Sequence, residues 1–327
     1  MADLSTNYVG LQLHNPIIVA SCSLVNTVEG VQQCADAGAG AVVLKSLFEE
    51  QLEADTKALQ QNVWLAGHAE AFDYVRNMGI ELGSQDYLKL VEGAKKKLSI
   101  PVIASLNCIT PTWWTDYAKR IEHAGADALE LNIAVLPSNT NRTSNEIEHL
   151  YCDILEAVKQ SVKIPIAVKI GPYFTSIARM AHELCNRGAS ALVLFNRFYQ
   201  LDINIETLAL VPGYRLSSRE EMSLSLRWIS LLAGRVKCDL AATTGVHDGI
   251  GVIKQLLAGA TAVQVCSTLY LNGVKYIETI LTQLGEWMDQ HTFGSINQIK
   301  GKLSQVESDR PEFYERLQYI KALVGIE

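Results

Sequence analysis

One seven-residue phrase recurs four times along the chain and confines it to a small set of folds. It reads Gly38-Ala39-Gly40-Ala41-Val42-Val43-Leu44, then Gly125-Ala126-Asp127-Ala128-Leu129-Glu130-Leu131. It returns as Gly188-Ala189-Ser190-Ala191-Leu192-Val193-Leu194 and as Gly259-Ala260-Thr261-Ala262-Val263-Gln264-Val265. Each copy follows a stretch with the apolar spacing of an amphipathic helix. The leading glycine suits the left-handed residue that closes a helix. The apolar run behind it suits a short strand buried on both faces of a parallel sheet.

A second phrase interleaves with the first. Its copies are Asn15-Pro16-Ile17-Ile18-Val19-Ala20, Ile100-Pro101-Val102-Ile103-Ala104-Ser105 and Ile164-Pro165-Ile166-Ala167-Val168-Lys169, with a weaker one at Lys237-Cys238-Asp239-Leu240-Ala241-Ala242. Proline is tolerated at a strand's first residue, where its missing N–H need not join the ladder. The two phrases together predict eight strands, starting near residues 16, 41, 101, 127, 165, 191, 238 and 261. Helices are expected around 27–37, 84–98, 113–124, 144–161, 175–187, 219–234, 247–258 and 272–290, the first opened by an Asn26/Glu29 capping box. Eight alternating units in about 270 residues are the size of a closed (β/α)8 TIM barrel. The competing open doubly wound sheet lacks its G-x-G-x-x-G after the first strand. Residues 1–327 are thus read as one α/β barrel domain.

Two connections are long, 46–83 after strand 2 and 197–218 after strand 6. Both leave from strand C-termini, where such barrels keep their sites, and are read as lids or pocket walls. The segment from about 291 to 327, with Phe313, Tyr314, Leu317 and Ile320, reads as a helical tail packed on the barrel.

The net charge of −7, with acids and bases interspersed, argues against a nucleic-acid surface. No apolar run reaches the roughly 18 residues of a membrane span, and residues 1–15 lack a signal pattern, so a cytoplasmic protein is expected. The seven cysteines, Cys22, Cys34, Cys108, Cys152, Cys185, Cys238 and Cys266, contain no C-x-x-C. No disulfide framework, zinc or iron–sulfur site, or other metal site is therefore expected, and most are read as buried thiols.

The apolar strands end in polar residues: Ser21, Lys45-Ser46, Ser105 with Asn107, Asn132, Lys169, Asn196, Thr243-Thr244-Gly245 and Cys266-Ser267-Thr268. In a barrel these converge on one mouth. Gly245 allows close backbone approach, and the helix expected from His247 offers free N–H groups to a phosphate, an arrangement that Ser267 and Thr268 could repeat. A lysine ending a buried strand needs an anion or must titrate. Lys45 and Lys169 could form a Schiff base in a cofactor-free lyase or aldolase, supply fixed charge beside a flavin's N1–C2=O edge, or sit in structural ion pairs. The accompanying asparagines suit the imide edges of flavins and pyrimidines.

From about Leu11 to Leu303 the sequence resembles the dihydroorotate dehydrogenase family, including the related domain of dihydropyrimidine dehydrogenase. The resemblance rests on Asn15-Pro16 leading to Ala20-Ser21, Leu44-Lys45-Ser46, the run Gly125 to Asn132, Val168-Lys169, Asn196 and Thr243-Thr244-Gly245-Val246. It implies FMN, hydride transfer from a dihydropyrimidine (dihydroorotate by default), and a soluble homodimer. It places Ala20, Ser21, Lys45, Ser46, Asn107, Asn132, Lys169, Thr244, Gly245, Cys266 and Ser267 at the flavin, and Asn132 and Asn196 at the substrate.

The sequence also departs from the family pattern. After Asn132 the family carries Ser-Cys-Pro-Asn, whose Cys or Ser removes the substrate proton. Here the run is Ile133-Ala134-Val135-Leu136-Pro137-Ser138-Asn139, with Val135 at the base position. Trp64-Leu65-Ala66-Gly67-His68 stands where a substrate asparagine is usual, and Ser217-Ser218 replaces a glycine pair. Cys108 and His68 are the candidate replacement bases, weighed against structural roles. A flavin-binding relative without catalysis stays open. No NAD or iron–sulfur site is read, so such a relay would need a partner chain.

Overall fold

The computed structural model describes residues 2–49, 85–107, 111–197, 200–213 and 215–315. Two short strands, β1 (Thr6–Tyr8) and β2 (Leu11–Leu13), form an antiparallel hairpin. The alternation then begins with β3 (Ile17–Val19), α1 (Val28–Asp36), β4 (Ala41–Val43) and β5 (Leu47–Phe48). Residues 85–97 form α2, followed by β6 (Val102–Asn107), α3 (Pro111–His123), β7 (Ala128–Asn132) and α4 (Ser144–Ser161). Next come β8 (Ile166–Ile170), α5 (Ile177–Asn186), β9 (Ala191–Leu194), and the antiparallel pair β10 (Gln200–Asn204) and β11 (Ala209–Gly213). The order closes with α6 (Met222–Leu232), β12 (Asp239–Ala242), α7 (Gly249–Ala258), β13 (Ala262–Val265), α8 (Ser267–Asn272) and α9 (Tyr276–Gln290).

The strand order is β4-β3-β13-β12-β9-β8-β7-β6-β5, and a further β4–β6 pairing closes the sheet. Every pairing within it is parallel. β5 prolongs the β4 edge and pairs with β6, leaving eight strands around a closed (β/α)8 barrel. The recurring phrase explains the layering. Its fourth and sixth residues point inward: Ala41 and Val43, Ala128 and Glu130, Ala191 and Val193, Ala262 and Gln264. Its fifth and seventh, such as Val42 and Leu44 or Leu192 and Leu194, join the larger cluster shared with the helices. This is the period-2 alternation of a strand applied to two apolar environments. The glycine that opens each phrase has positive φ, +92° at Gly38, +93° at Gly125, +101° at Gly188 and +120° at Gly259.

The N-terminal hairpin plugs the strands' N-terminal end. Tyr8, Val9 and Leu13 fill the barrel interior with Ile18, Ala41 and Ala262. The Val9 N–H donates to the carboxylate of Asp239 at 2.8 Å, which also accepts from the Thr261 hydroxyl at 3.0 Å. The hairpin turns at Val9 and Gly10, both with positive φ, as a tight two-residue turn requires.

Several expectations are corrected. The N-cap of α1 is Thr27, not Asn26: Thr27 is extended and accepts from the Gly30 N–H at 3.1 Å, whereas Asn26 is already helical in φ and ψ. The complete capping box lies on α4, between Thr143 and Glu146. Cys185 and Cys238 form a disulfide, against the expectation of free thiols. Sequence spacing could not signal it: α5 precedes β9, and the pair meets because β12 lies beside β9. The tail is not a helix over 291–315. It runs as short 3-10 turns at Ile296–Gln298 and Pro311–Tyr314, interrupted by Gly294, Gly301 and Pro311. Leu317 and Ile320 lie outside the described residues. Among the described residues, no helix is long and apolar enough to cross a membrane.

Candidate functional site

The inward positions become polar toward the strands' C-terminal ends. Glu130 of β7 is 1% exposed and Lys169 of β8 is 9% exposed. The Lys169 ammonium stands 3.8 Å from Glu130 Oε1, and Gln264 of β13 donates to Glu130 Oε2 at 2.5 Å. One layer above the apolar plug, the barrel thus encloses a buried lysine, carboxylate and amide. Among the described residues, Glu130 Oε1 and Gln264 Oε1 accept no hydrogen bond. Lys169 and Gln264 also line a cavity of about 170 Å³ in the mouth.

Eight of the expected site residues surround that cavity: Ala20, Ser21, Lys169, Asn196, Thr244, Gly245, Cys266 and Ser267. Two more are bonded to its wall. Ser46 donates its N–H to Ser21 Oγ at 2.8 Å, and Asn132 accepts from Asn196 Nδ2 at 2.7 Å. Lys45 and Asn107 are half-buried at the ends of their strands but do not line the cavity. Among the described residues, the Lys45 ammonium has no hydrogen bond or ion pair. Cys108 and His68, the candidate bases, lie outside the described residues.

The β3, β4 and β6 ends are fixed by a hydroxyl chain. Ser21, Ser46 and Ser105 are linked at 3.0 and 2.8 Å. Tyr87 of α2 accepts from the Ser105 N–H at 2.9 Å and donates to its carbonyl at 3.1 Å. Burial raises the Tyr87 hydroxyl well above its ordinary pKa, so it remains a neutral brace.

The turn after β12 is tight and left-handed at two successive residues. Thr244 and Gly245 have φ of +72° and +78°. A Cβ on Gly245 would stand 2.2 Å from the Met222 backbone nitrogen, so only glycine fits. Gly245 and Val246 are buried, and among the described residues no acceptor meets their N–H groups. Such orphan donors cost free energy unless an acceptor arrives. Ser267, at the start of α8, accepts the Ser217 N–H at 3.0 Å on the same wall.

The expected phosphate role of the helix after His247 is corrected. That helix, α7, starts at Gly249, and the Asp248 carboxylate caps it by accepting from the Gly251 N–H at 2.9 Å. Gln283 takes the Gly249 N–H at 2.7 Å. A carboxylate already occupies that terminus.

Sequence reading missed several wall residues. Arg197, directly after Asn196, and Arg215 line the cavity unforeseen, beside Ser217 and Thr243, which the sequence had marked. Arg197 donates to Glu221 at 2.7 Å and to the Arg215 carbonyl. Burial opposes ionisation of Glu221, but the Arg197 hydrogen bond and charge hold its carboxyl below the usual range. Position alone could have flagged Arg197; Glu130 and Gln264 were visible as the polar members of an otherwise apolar phrase. A larger cavity, about 460 Å³, opens at the opposite end near Lys237, Lys300 and Lys302. Of the inward polar strand residues Asp239 lines it, but its carboxylate is taken up by the Val9 N–H and the Thr261 hydroxyl, whereas Lys169 and Gln264 line the mouth.

Comparison with known proteins agrees with this architecture. The sequence model of the family described as "Dihydroorotate dehydrogenase" matches residues 3–288. The chain is 26% identical over 295 residues to the protein named "Dihydroorotate dehydrogenase B (NAD(+)), catalytic subunit" of Methanocaldococcus jannaschii, covering 86% of this chain and 92% of that one. It is 29% identical over 271 residues to the protein of the same name from Methanocella arvoryzae, covering 82% and 87%. It is 24% identical over 341 residues to "Dihydropyrimidine dehydrogenase (NADP(+)), chloroplastic" of Arabidopsis thaliana, covering 96% and 80%.

Proposed function

The chain belongs to the dihydroorotate dehydrogenase family, and from that premise we propose that it is an FMN-dependent oxidoreductase taking hydride from a dihydropyrimidine, with dihydroorotate the first substrate to test. The observation that carries this reading is the mouth itself. Lys169, Asn196 and the turn at Gly245 and Val246, whose N–H groups have no partner among the described residues, border one cavity, and Asn132 is bonded to Asn196 behind that wall.

These residues fit the cofactor. A dianionic phosphate would satisfy the buried N–H groups of Gly245 and Val246, with Thr244, Cys266 and Ser267 beside it. Ala20, Ser21 and Ser46 would flank the ring, with Lys45 and Asn107 on the strand-2 and strand-3 side. Bound FMN would supply the hydride acceptor. Lys169 would hold positive charge toward the cofactor's N1–C2=O edge, where negative charge develops. Its partner Glu130, 3.8 Å away, orients the ammonium and engages it in an ion pair, an arrangement that suits a fixed charge better than an amine nucleophile.

Asn132 and Asn196 would orient the substrate. Their mutual hydrogen bond leaves the Asn132 N–H2 and the Asn196 carbonyl for a cyclic amide, one donor beside one acceptor. The proton removed from the substrate has no acceptor at Val135. Cys108 and His68 remain the proposed replacements. A soluble, cytoplasmic homodimer built of one domain over 1–327 completes the reading.

Lys45 favours one competing reading, a lyase, because its ammonium has no partner among the described residues. An absorbance spectrum of the purified protein incubated with FMN, followed by anaerobic dihydroorotate, separates the possibilities. Retained flavin that bleaches supports the dehydrogenase. Retained flavin that no pyrimidine bleaches indicates a non-catalytic relative. A protein that takes up no FMN but is trapped by borohydride on a carbonyl substrate is the lyase.

A further inference from the structure

Two cysteines meet at the rim of the mouth. β3 and β13 run side by side, Val19 opposite Val265, and the Ala20 N–H donates to the Val265 carbonyl at 2.9 Å. Just beyond this pair each chain opens a helical turn on a cysteine. Cys22 is the N-cap of the 3-10 turn Ser23–Val25, and Cys266 is the N-cap of α8. Tyr270 of α8 ties the turns together, accepting the Ser23 N–H at 3.0 Å and bonding its hydroxyl at 2.5 Å. These bonds hold the two turns, and with them the two cysteines, side by side. Both residues are half-buried, whereas Cys34 and Cys152 are buried.

We propose that Cys22 and Cys266 form a reversible oxidation site, closing to a disulfide at the edge of the mouth when the protein meets a small disulfide such as glutathione disulfide. The Cys22 thiolate attacks one sulfur of the reagent, a Cys22–S bond forms, the reagent's S–S bond breaks, and one thiolate leaves and takes up a proton. Cys266 releases its proton to solvent and attacks Cys22 Sγ, displacing the second reagent thiol. Two protein thiols are oxidised and one disulfide is reduced to two thiols.

The surroundings assign the order of attack. The Cys266 thiol, the N–H groups of Leu24 and Val25, and the Tyr270 hydroxyl all favour charge on Cys22, and together they outweigh burial and bring it down to about 7. Donation to Cys22, and burial, keep Cys266 protonated. The neighbouring Cys34 is pushed up to about 12, first by burial and then by charge at Cys22, so it is a poor competitor. Low-pKa, accessible thiols with a second thiol in reach are the ones that oxidise selectively.

The consequence for the mouth rests on the FMN reading. Cys266 lines the cavity beside Lys169 and Ser267. Drawing its sulfur into a bond with Cys22 moves the start of α8, which borders the anion cradle. Oxidation is therefore expected to weaken FMN binding by about tenfold or more.

The test treats the full-length, fully reduced protein with glutathione disulfide at pH 7 and maps the peptides by mass. The expected product is a Cys22–Cys266 cross-link. Cys266→Ser should instead stop at a stable glutathione adduct on Cys22, and Cys22→Ser should leave Cys266 unmodified. A Cys22–Cys34 cross-link, or a lasting adduct on Cys22 with Cys266 still present, overturns the pairing. FMN affinity measured on the cross-linked protein then tests the consequence: unchanged affinity overturns it. A reduced protein that takes up no FMN counts against the proposed function alone, because the cross-link is read without flavin.

Discussion

The side-chain amide of Asn196 donates to the side-chain oxygen of Asn132 across 2.7 Å. The bond spans β8, because Asn132 ends β7 and Asn196 follows β9. It fixes the orientation of the two amides relative to each other, with Asn196 on the mouth cavity. Asn196→Ala should therefore lower the rate of anaerobic flavin reduction by roughly 10²-fold, the effect of losing one preorganised polar group. FMN uptake should persist. Stopped-flow bleaching measures the first and equilibrium titration the second; loss of FMN binding with an unchanged rate would reverse the assignment.

Lys169→Met is expected to destabilise the fold far more than a mouth residue ordinarily would. It strands the Glu130 carboxylate, 1% exposed, without its only cation among the described residues. Breaking a buried pair from one side costs about 3–5 kcal/mol. The double variant Glu130→Leu with Lys169→Met should recover much of that loss, since no lone charge remains. Urea midpoints for the single and double variants decide it; a Lys169→Met variant as stable as the parent would show that the ion pair does not hold the barrel together.

The barrel was legible because its signal is local and repeated. Strands expected from residues 41 and 191 begin there, and those expected from 101, 127, 165, 238 and 261 begin one residue later. What stayed hidden depends on closure of the sheet. Gln264 and Glu130 are 134 positions apart and meet only across the interior. The N-terminal hairpin has strands too short for a periodic signal, and Cys185–Cys238 bridges elements that only the sheet order makes neighbours. The Asp248 cap was within reach of sequence rules, but the expectation of an anion at that helix passed over a carboxylate already placed there.

Gly245→Ala should abolish FMN uptake and lower stability. Its φ of +78° costs an alanine about 1–2 kcal/mol, and displacing the Met222 backbone from 2.2 Å adds roughly 1–3 kcal/mol. Gly10→Ala is the matched control. Its φ is +81°, yet its Cβ would meet nothing within 4 Å, so only the conformational cost applies. Thermal unfolding of both variants separates backbone strain from steric exclusion at the cradle.

Alkylation of Cys22 should titrate with a midpoint near pH 7, below the ordinary thiol range. Because folding lowers this pKa, its ionisation favours the folded state at high pH. That contribution is complete above about 9 and disappears as pH falls through about 7. Cys266→Ala removes the thiol donor and should shift the midpoint upward by about one unit or more. Iodoacetamide rates between pH 6 and pH 10, about the useful range for a thiol, read this shift directly; an unmoved midpoint would assign the effect to the turn's N–H groups instead.

Val135→Cys should accelerate flavin reduction by dihydroorotate, because it places an ionisable group where the family resemblance expects the base. Val135 is half-buried, packs against the main core and donates its N–H to the Tyr151 hydroxyl at 3.3 Å. Trading a branched methyl pair for a thiol costs about 1 kcal/mol of packing, and the backbone bond that holds the loop is unaffected. General-base catalysis contributes roughly 10²–10⁴-fold, so the gain should exceed any loss from packing and should grow with pH as the thiol ionises. Val135→Ala, which opens similar space without a base, should show no gain. If the unaltered protein already bleaches as fast as Val135→Cys, proton removal occurs elsewhere, and Cys108→Ala and His68→Ala become the variants that locate it.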